Sequence, residues 1–437
     1  MMEYLHSVTL REEKCVGCTD CIKRCPTEAI RVRNGKAKII DERCIDCGFC
    51  IRVCRNRAKK AITDNLDSLS EYKYKVAIPA PALYSQFKDV LDVNVILTGL
   101  KKLGFDEVFE VSRAAEIVTE ESKRLIKEAT FQKPIISSAC PVIVRLIQIR
   151  FPELIDHIFP LLSPMEVAAR MVKKDLTKRG IDEKDIGVFF ISPCAAKATN
   201  VRNPIGFEKS YVDKVLSIKE VYKKLATFIR KMDDIENLRM SSSEGIRWAM
   251  TGGEGKGLGI DNYIAVDGIE NVNKILEEVE NGKLENVDFI EGLACTGGCL
   301  GGPLTVENSF VAKNRLKKVL NYTNKENIEK KIDSSYEDIF LSWNKEVISK
   351  PVMTLDKDMN VAIKKMEELE KIYEQLPQID CGSCGAPTCR ALAEDIVRNN
   401  ANIEDCIFML RMKVRQMAED MVALAQKMPP SLNKNDS

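Results

Sequence analysis

Residues 291–302 read EGLACTGGCLGG, and two shorter cysteine stretches precede them, SSACP at 137–141 and SPCAAK at 192–197. Each stretch ends a short apolar run, and such runs alternate with amphipathic segments such as AAEIVTEESKRLIKEA. This alternation predicts strands interleaved with helices, and therefore an α/β body over residues 73–350. The cysteines would lie where strands give way to loops, from which side chains can converge on one ligand. They are Cys140, Cys194, Cys295 and Cys299.

The overall composition limits the classes of protein to which this chain can belong. It has 437 residues, 45% of them hydrophobic, so about three domains with apolar cores are expected. The formal net charge of +1 disfavours a broad surface for nucleic acid. No apolar run approaches the roughly 18 residues of a membrane span, and the first residues lack the apolar segment of a secretory signal. We therefore expect a cytoplasmic protein without nucleic-acid or membrane partners.

Cysteine and histidine usage indicates metal sites. The chain has sixteen cysteines and two histidines, His6 and His157, which have no partners at metal-ligand spacing. In a reducing compartment cysteines seldom form disulfides and more often bind metals or carry redox chemistry. Since histidine is nearly absent, thiolate must be the main ligand, which favours zinc or iron-sulfur clusters.

The first eight cysteines form two runs with C-x2-C-x2-C-x3-C spacing, and Pro26 closes the first run. The runs resemble the bacterial two-cluster ferredoxins over about residues 5–60, and this resemblance implies that the fourth cysteine of each run ligates the other cluster. One 4Fe-4S cube would bind Cys15, Cys18, Cys21 and Cys54, and the second would bind Cys25, Cys44, Cys47 and Cys50. Two structural zinc sites are the alternative. Two adjacent cubes would carry single electrons rather than catalyse a reaction.

The last four cysteines lie in DCGSCGAPTCRALAEDIVRNNANIEDC, a stretch that resembles the small iron-sulfur module of corrinoid iron-sulfur proteins. The resemblance implies one 4Fe-4S cluster, and a zinc site is the alternative. Its ligands would be Cys381, Cys384, Cys389 and Cys406.

Two helical patterns flank this quartet. The first runs from Met359 to Leu376, and the second repeats apolar residues in heptads from Ile403 to Leu424. We expect the two helices to pack on each other within the chain. The alternative is that the second helix forms a homodimer or docks a partner protein.

These patterns divide the chain into three predicted domains. An α/β body at residues 73–350 is flanked by a two-cluster ferredoxin-like α+β domain at residues 1–60 and a helical iron-sulfur module at residues 351–437. Residues 56–72 are polar and poor in β-branched residues, which predicts a linker. The last ten residues, MPPSLNKNDS, are expected to form a tail.

The three stretches of the body resemble, in order and spacing, the active-site motifs of the iron-only (FeFe) hydrogenases. The segments VAIPAPAL and KKLGFDEVFEVSRAAEI support the resemblance, which covers about residues 73–320. It implies an H-cluster, a 4Fe-4S cube joined through one thiolate to a di-iron unit with carbon monoxide, cyanide and azadithiolate ligands. The glycines of the third stretch would let the backbone come close to this cofactor. The cube would bind Cys140, Cys194, Cys295 and Cys299, with Cys299 as the bridge, and Lys197 would hydrogen-bond a cyanide.

Four positions depart from the family pattern. Ala139 stands where the family has a cysteine that hands protons to the bridging amine, and a methyl group cannot relay a proton. Ser192 and Leu293 replace methionines near the cofactor, and Asn200 replaces a glutamate. Because a general acid or base contributes a factor of about 10² to 10⁴, we expect slow, reversible hydrogen oxidation. The chain thus resembles the sensory branch of the family, group D, which carries a C-terminal cluster module.

The resemblance also implies partners. Hydrogen and protons would be the substrates, an electron-transfer or signalling protein would receive the electrons, and maturation proteins would build the di-iron unit. Two other functions stay open. One is a ferredoxin-coupled catalytic hydrogenase with another proton route, and the other is a non-catalytic iron-sulfur scaffold that lacks the di-iron unit.

Two further features are assigned ordinary structural roles. Glu116, Glu120 and Glu121 lie near the relay glutamates of the family, but we expect them to be solvated charges on a helix. The stretch TGGEGKGLG at 251–259 lacks the Walker pattern for binding phosphate, and we expect a glycine-rich turn.

Overall fold

Two small antiparallel sheets form the N-terminal region of the computed structural model, which describes residues 6–128, 130–227, 229, 232–325 and 339–427. The elements of this region are β1 (Val8–Leu10), β2 (Ile30–Arg33), β3 (Lys36–Ile39), α1 (Phe49–Val53) and β4 (Lys59–Ala61). β2 and β3 form a hairpin, and β1 pairs with β4. Asn34 and Gly35 form the hairpin turn with positive φ at both positions, the backbone that such a two-residue turn requires.

The prediction of a linker at residues 56–72 is wrong for much of this segment. It contains β4, and residues Leu66–Glu71 form a 3-10 helix. Between these elements, the Asp64 amide donates to the Val215 carbonyl at 2.9 Å, and the Val215 amide donates to the Asp64 carboxylate at 2.8 Å. Polar composition was a poor guide because the segment satisfies its backbone groups by pairing with neighbouring strands.

Two parallel sheets form the centre of the body. Their strands are β5 (Tyr74–Pro79), β6 (Glu107–Val108), β7 (Ile135–Ile136), β8 (Ile186–Ser192), β9 (Lys214–Ser217), β10 (Tyr263–Asp267) and β11 (Phe289–Leu293). The larger sheet has the order β6-β5-β8-β9 and the smaller one β10-β11-β7, and every neighbouring pair is parallel. The predicted α/β body is therefore confirmed.

Helices cover both faces of the larger sheet. The helices of the body are α2 (Val93–Lys102), α3 (Val111–Glu128), α4 (Pro141–Arg150), α5 (Pro164–Lys178), α6 (Ala195–Arg202), α7 (Ile218–Leu225), α8 (Ser243–Arg247), α9 (Gly253–Leu258), α10 (Ile269–Glu280) and α11 (Ser309–Thr323). α3 and α5 pack on one face, against Val76 and Ile78, whereas α2, α7 and α11 pack on the other face, around Ala77 and Phe189. All residues of β8 are buried, as expected for a central parallel strand covered on both sides.

The C-terminal region contains α12 (Met359–Gln375), α13 (Cys389–Val397) and α14 (Ile407–Gln426). α12 packs against α13, with Leu369 and Leu392 in one apolar cluster. The expected packing of the heptad helix on α12 is wrong, because α13 occupies the apolar face of α12. In α14, Met409 is half-buried and every other residue is exposed. Neither α14 nor any other described helix is long and apolar enough to cross a membrane. The predicted tail, residues 428–437, lies outside the described residues.

Buried ion pairs dock the C-terminal region on the N-terminal region. Asp395 accepts hydrogen bonds from Arg31 and Arg33, each at 2.7 Å, and Glu394 pairs with Arg43. Four of these five side chains are almost entirely buried, and Arg33 is half-buried. The pairing compensates charges that would otherwise be costly to bury.

Backbone contacts complete this interface. The Val32 amide donates to the Gly385 carbonyl at 2.8 Å, and the Arg33 guanidinium donates to the Cys384 carbonyl at 2.8 Å. Gly385 has a φ of +81°, and a Cβ there would overlap the Val32 carbonyl oxygen. Glycine is therefore required at this position both by conformation and by space.

Candidate functional site

Strand ends bring the four cysteines of the body together. Cys140 caps the N-terminus of α4 shortly after β7, and Cys194 caps α6 shortly after β8. Cys295 follows β11, and Cys299 lies in the 3-10 turn Gly298–Gly301. The Cys295 thiol lies close enough to the other three thiols for their charges to influence its ionisation. The expectation that these cysteines follow strand ends is thus confirmed.

A cavity of about 100 Å³ lies beside these cysteines. Its wall is mainly apolar and holds a few polar groups, which is typical of a cofactor or small-molecule site. The ionisable side chains of the wall are Cys140, Cys194, Lys197, Glu254, Glu291 and Cys299.

Burial makes three of these thiols weak acids. It raises the pKa of Cys194 to about 11 and that of Cys299 to about 12, and neighbouring thiols add to both rises. The pKa of Cys295 is raised for the same reasons. Thiols of this kind become thiolates when a metal displaces their protons. Four converging sulfur donors, three of them in the wall of this cavity, fit an iron-sulfur cube.

Lys197 supplies the positive charge of the cavity wall. Burial lowers the pKa of its ammonium group, and the neighbouring Cys194, Cys140 and Cys299 oppose that effect. A cation in an apolar wall is stabilised by an anionic partner. Lys197 can therefore donate a hydrogen bond to an anionic ligand of a group bound in the cavity.

The positions that depart from the family pattern lie in different places. Ala139 and Leu293 line the cavity, whereas Ser192 is absent from its wall. The Ser192 hydroxyl donates to the Cys194 carbonyl and accepts from the Cys194 amide, both at 3.0 Å. Ser192 thus holds the turn that presents Cys194, and Ala139 leaves only a methyl group in the wall.

Two buried carboxyl groups that sequence reasoning missed face the same cavity. Burial raises the pKa of Glu254 to about 8 and that of Glu291 to about 7, and the charge of Glu291 adds to the rise at Glu254. The amides of Gly252 and Gly255 each donate to the Glu291 carboxylate at 3.0 Å and partly offset its rise. Because the charge of Glu291 disfavours ionisation of Glu254, the protonation states of the two carboxyl groups depend on each other.

Ser137 connects this pair to the first cysteine stretch. Its hydroxyl donates to the Glu254 carboxylate at 2.6 Å and accepts from the Ala139 amide at 3.2 Å. The carboxyl group of Glu254 is therefore held beside the position that lacks a thiol.

The stretch at 251–259 is a helix rather than the expected turn. Gly252, with a φ of +80°, precedes α9, which carries Glu254 into the cavity wall. A Cβ on Gly255 would overlap the Tyr263 ring, so the glycine allows close packing on β10. A single acidic residue among glycines was the signal in the sequence. Its meaning depends on burial, which the sequence does not show.

The glycines of the third stretch bring the chain's own loops together. A Cβ on Gly302 would overlap the Pro193 carbonyl, and one on Gly298 would lie 2.9 Å from the Ala249 carbonyl oxygen. No glycine belongs to the described cavity wall. The expectation that these glycines let the backbone approach the cofactor stays a prediction, and the structure adds a role in packing the chain's own loops together.

The glutamates of α3 lie outside the cavity wall. Glu120 and Glu121 form ion pairs with basic residues on the same helix, which agrees with solvated charges. Glu116 differs, because it accepts from the Ser242 amide and from Arg113, each at 2.6 Å, and is mostly buried.

Both histidines lie within hydrogen-bond distance of protein oxygen atoms, and His6 also lies close to two further potential metal ligands. His157 is buried, and its Nδ1 lies 3.0 Å from the Pro134 carbonyl oxygen. The ring of His6 lies 3.0 Å from Asp41, but ligand atoms of His6, Cys44 and Asp46 also lie within 4.8 Å of one another. The fold creates this proximity, which the sequence spacing did not indicate.

Two smaller cavities, each of about 20 Å³, are lined by the N-terminal cysteines. Each combines three cysteines of one run with the fourth cysteine of the other, as the ferredoxin resemblance implies. Backbone amides donate to the sulfurs of Cys15, Cys25 and Cys54 at 3.2 to 3.4 Å. Such bonds stabilise ligating sulfur. One cavity is lined by Cys15, Cys18, Cys21 and Cys54, and the other by Cys25, Cys44, Cys47 and Cys50.

The C-terminal cysteines also converge. Cys384, Cys389 and Cys406 belong to one apolar cluster, and Cys381 lies within electrostatic range of Cys384. Cys389 begins α13 and Cys406 caps α14. Hydrogen bonds from Ser383 lower the pKa of Cys381, which favours its thiolate.

Packing connects the four groups of cysteines. Cys47 belongs to the same apolar cluster as Cys140 and Cys194, so one N-terminal group adjoins the central group. Arg145 is buried within electrostatic range of both Cys44 and Cys194. The C-terminal group adjoins the N-terminal region through the ion pairs described above.

A comparison with protein families identifies the body. A family model described as the C-terminal domain of the iron only hydrogenase large subunit matches residues 73–256 and 228–303. The chain belongs to the iron-only hydrogenase family. In this hydrogenase-family chain, a model for a 4Fe-4S dicluster domain matches residues 7–55, and a model for an Fe-S cluster matches residues 376–408.

Curated relatives agree with this assignment. The chain is 27% identical over 362 residues to the periplasmic Fe hydrogenase large subunit of Nitratidesulfovibrio vulgaris, which covers 68% of this chain and 86% of the relative. It is 26% identical over 388 residues to iron hydrogenase 1 of Clostridium pasteurianum, covering 72% and 67% of the two chains. The corrinoid/iron-sulfur protein large subunit of Moorella thermoacetica is 41% identical over 39 residues, 9% of each chain.

Solved hydrogenase structures share the fold. An apo variant of the FeFe hydrogenase HydA1 from Chlamydomonas reinhardtii superposes with a TM-score of 0.52 at 17% identity. The match covers 65% of this chain and 99% of the solved one. This family member thus shares the FeFe hydrogenase fold with a mixed α/β body, and the dicluster match gives it an N-terminal ferredoxin-like region.

Proposed function

We propose that this protein binds hydrogen and oxidises it slowly and reversibly at an H-cluster, and that it serves as a hydrogen or redox sensor. One observation carries the proposal. Three half-buried cysteines line a cavity, with Cys295 close to them, and the wall of that cavity has a methyl group, from Ala139, at the position of the proton-carrying thiol.

The cofactor would be held by residues that already converge. Cys140, Cys194, Cys295 and Cys299 would bind the cube, with Cys299 as the bridge to the di-iron unit, and Lys197 would donate to a cyanide. The raised pKa values of the buried thiols and the cation in the cavity wall support this assignment. When bound, such a unit would supply the redox chemistry that splits hydrogen into two protons and two electrons.

Glu254 and Glu291 offer a route for the protons. A carboxyl group whose pKa lies near the working pH can accept a proton and release it again. Ser137 orients the Glu254 carboxyl group, and Glu291 can share its proton. Position 139 itself offers no donor or acceptor side chain, so a proton must cross the space beside Ala139 without a relay. This gap supports low turnover.

The other cysteine groups would carry the electrons. Two N-terminal 4Fe-4S clusters and one C-terminal cluster would connect the central site with an electron-transfer or signalling protein. The shared apolar cluster of Cys47, Cys140 and Cys194 supports the first step of this path. The docking of Asp395 on Arg31 supports the step to the C-terminal cluster.

The proposal also concerns how the cofactor is assembled and where the protein is located. Hydrogenase maturation proteins would install the di-iron unit. We also propose a cytoplasmic location, in contrast to the relative that is periplasmic by name. The cysteines are proposed as cluster ligands, and none of them forms a disulfide, which is compatible with a reducing compartment.

The experiment that tests the sensory proposal is the variant Ala139→Cys in the matured protein. We expect its rate of hydrogen oxidation to rise at least tenfold, because a thiol fills the gap in the relay. Ala139→Ser is the matched control, since a hydroxyl of similar size is a far weaker acid and should give a smaller rise. Rates are compared at equal cofactor loading.

A second candidate is a ferredoxin-coupled catalytic hydrogenase. The Glu254 and Glu291 pair favours it, because a buried acid of raised pKa can replace a thiol. A native rate that is already high and unchanged by Ala139→Cys would support this candidate and contradict the sensory proposal.

A further inference from the structure

The apolar face of α14 has almost no packing partner within the described chain. Six of its residues recur at heptad spacing and form a continuous seam, and all six are exposed. An apolar seam of three heptads is the surface that a second helix buries in a coiled coil. The seam consists of Ile407, Leu410, Val414, Met417, Met421 and Leu424.

The charges of α14 are divided between its two halves. Arg411, Lys413 and Arg415 lie in the first half, and Glu419 and Asp420 lie in the second. A parallel pair of such helices would bring the basic halves together, whereas an antiparallel pair brings each basic half against an acidic half. Charges beside the seam select the orientation of coiled coils.

We propose that a second copy of this chain covers this seam, with the two α14 helices antiparallel. In one register Ile407 lies opposite the partner's Leu424, Leu410 opposite the partner's Met421, and Val414 opposite the partner's Met417. This register fills all six seam positions in both copies.

The same register also pairs the charges beside the seam. Lys413 faces the partner's Asp420 there, and Asp420 faces the partner's Lys413. Two of these charges also have local partners, since Lys413 pairs with Glu404 and Arg415 pairs with Glu419 on the same helix. The orientation therefore rests on the division of charge along the whole helix rather than on one pair.

The proposal has a geometric consequence for the C-terminal cysteines. α14 begins directly after Cys406. In the antiparallel register, Cys406 and the partner's Cys406 lie about 28 Å apart along the helix axis, at 1.5 Å per residue. Each C-terminal cysteine group then lies beside the far end of the partner's helix.

Sedimentation of the full cluster-loaded chain tests the dimer. We expect a mass of twice 49.2 kDa. Met417→Glu places a carboxylate in the seam and should weaken dimerisation at least a hundredfold. Met412→Glu is the matched control, because Met412 is 64% exposed and Met417 is 57% exposed, but Met412 lies away from the seam. A monomeric native chain, or equal weakening by both variants, would overturn the proposal. Because both residues are exposed, folding should be unaffected, and the visible absorbance of the clusters checks this.

Photo-crosslinking tests the orientation. A p-benzoylphenylalanine that replaces Leu424 should crosslink to the partner's segment around Ile407. A crosslink to the partner's segment around position 424 would indicate parallel helices and overturn the antiparallel proposal. Neither experiment measures hydrogen turnover, so both are independent of the proposed function.

Discussion

Removal of the Glu254 carboxyl group tests the proton route of the central cavity. Glu254→Gln keeps the volume of the side chain and a hydrogen bond to Ser137, but it removes the group that can gain and lose a proton. We expect the rate of hydrogen oxidation in the matured protein to fall by a factor of about 10² to 10⁴, the usual contribution of a general acid or base.

The structure indicates the energies involved. Burial and the charge of Glu291 raise the pKa of Glu254 from 4.5 to about 8, which corresponds to about 5 kcal/mol of resistance to ionisation. This resistance keeps the group partly protonated at neutral pH, where it can exchange protons in either direction. Glutamine cannot exchange a proton at any pH, and the expected loss corresponds to about 3 to 5 kcal/mol in the activation barrier.

The dependence of the rate on pH adds a second readout. Hydrogen oxidation releases protons, so Glu254 must be deprotonated to accept one. The native rate of oxidation should therefore rise with pH through the raised pKa of the pair. Glu254→Gln should flatten this rise, and Glu254→Asp, which keeps a carboxyl group, should retain it with a lower rate.

The assay measures hydrogen oxidation with an artificial electron acceptor between about pH 5 and pH 9. Rates are divided by the intensity of the infrared bands of bound carbon monoxide and cyanide, which corrects for cofactor loading. Glu120→Gln, a surface control on α3, should change the rate less than about twofold. The proton route is refuted if Glu254→Gln retains more than half of the native rate with an unchanged pH profile.

Two further predictions concern the interface between the terminal regions. Asp395→Asn leaves the guanidinium groups of Arg31 and Arg33 without a counter-charge, and we expect this to weaken docking by about 3 to 5 kcal/mol. Amide hydrogen exchange in α13 should become faster while exchange in β8 stays the same, and unchanged exchange in α13 would contradict the predicted role. Gly385→Ala should have the same local effect, because the added methyl group overlaps the Val32 carbonyl and the backbone has a positive φ. Native exchange rates in the Gly385→Ala protein would show that the interface accommodates the added methyl group without losing stability, and would contradict this prediction.

The convergence of the cysteines was predictable from the sequence because their spacing is local. Runs such as Cys15 to Cys25 place several sulfurs within one loop, and the structure gathers them with the fourth cysteine of the other run. The central cysteines were predictable from the apolar runs that precede them, since the ends of parallel strands collect loops on one side of a sheet.

The proton pair was not predictable from the sequence. Glu254 and Glu291 lie far apart along the chain, and only the packing of α9 beside β11 brings both to one cavity. Their raised pKa values arise from burial, which no local pattern reports. A glycine-rich stretch is compatible with both a turn and a helix. The hydrogen bonds from the Gly252 and Gly255 amides to the Glu291 carboxylate become visible only in the fold.

The packing partners of α12 and α14 were also not predictable from the sequence. The heptads of α14 correctly predicted an apolar face, but periodicity does not identify what covers it. α13 occupies the face of α12 that the heptad helix was expected to cover, because Leu392 and Leu369 share one apolar cluster. Polar composition likewise failed at residues 56–72, where backbone pairing rather than side-chain burial determines the structure.

Infrared spectroscopy of the matured protein tests the central claim most directly, because protein side chains have no bands where iron-bound carbon monoxide and cyanide absorb. We predict a set of such bands that shifts between hydrogen and an oxidant, and that weakens when Cys299→Ser removes the proposed bridge. Absence of these bands in a matured protein whose 4Fe-4S clusters are all present would contradict the account and identify a scaffold without a di-iron unit.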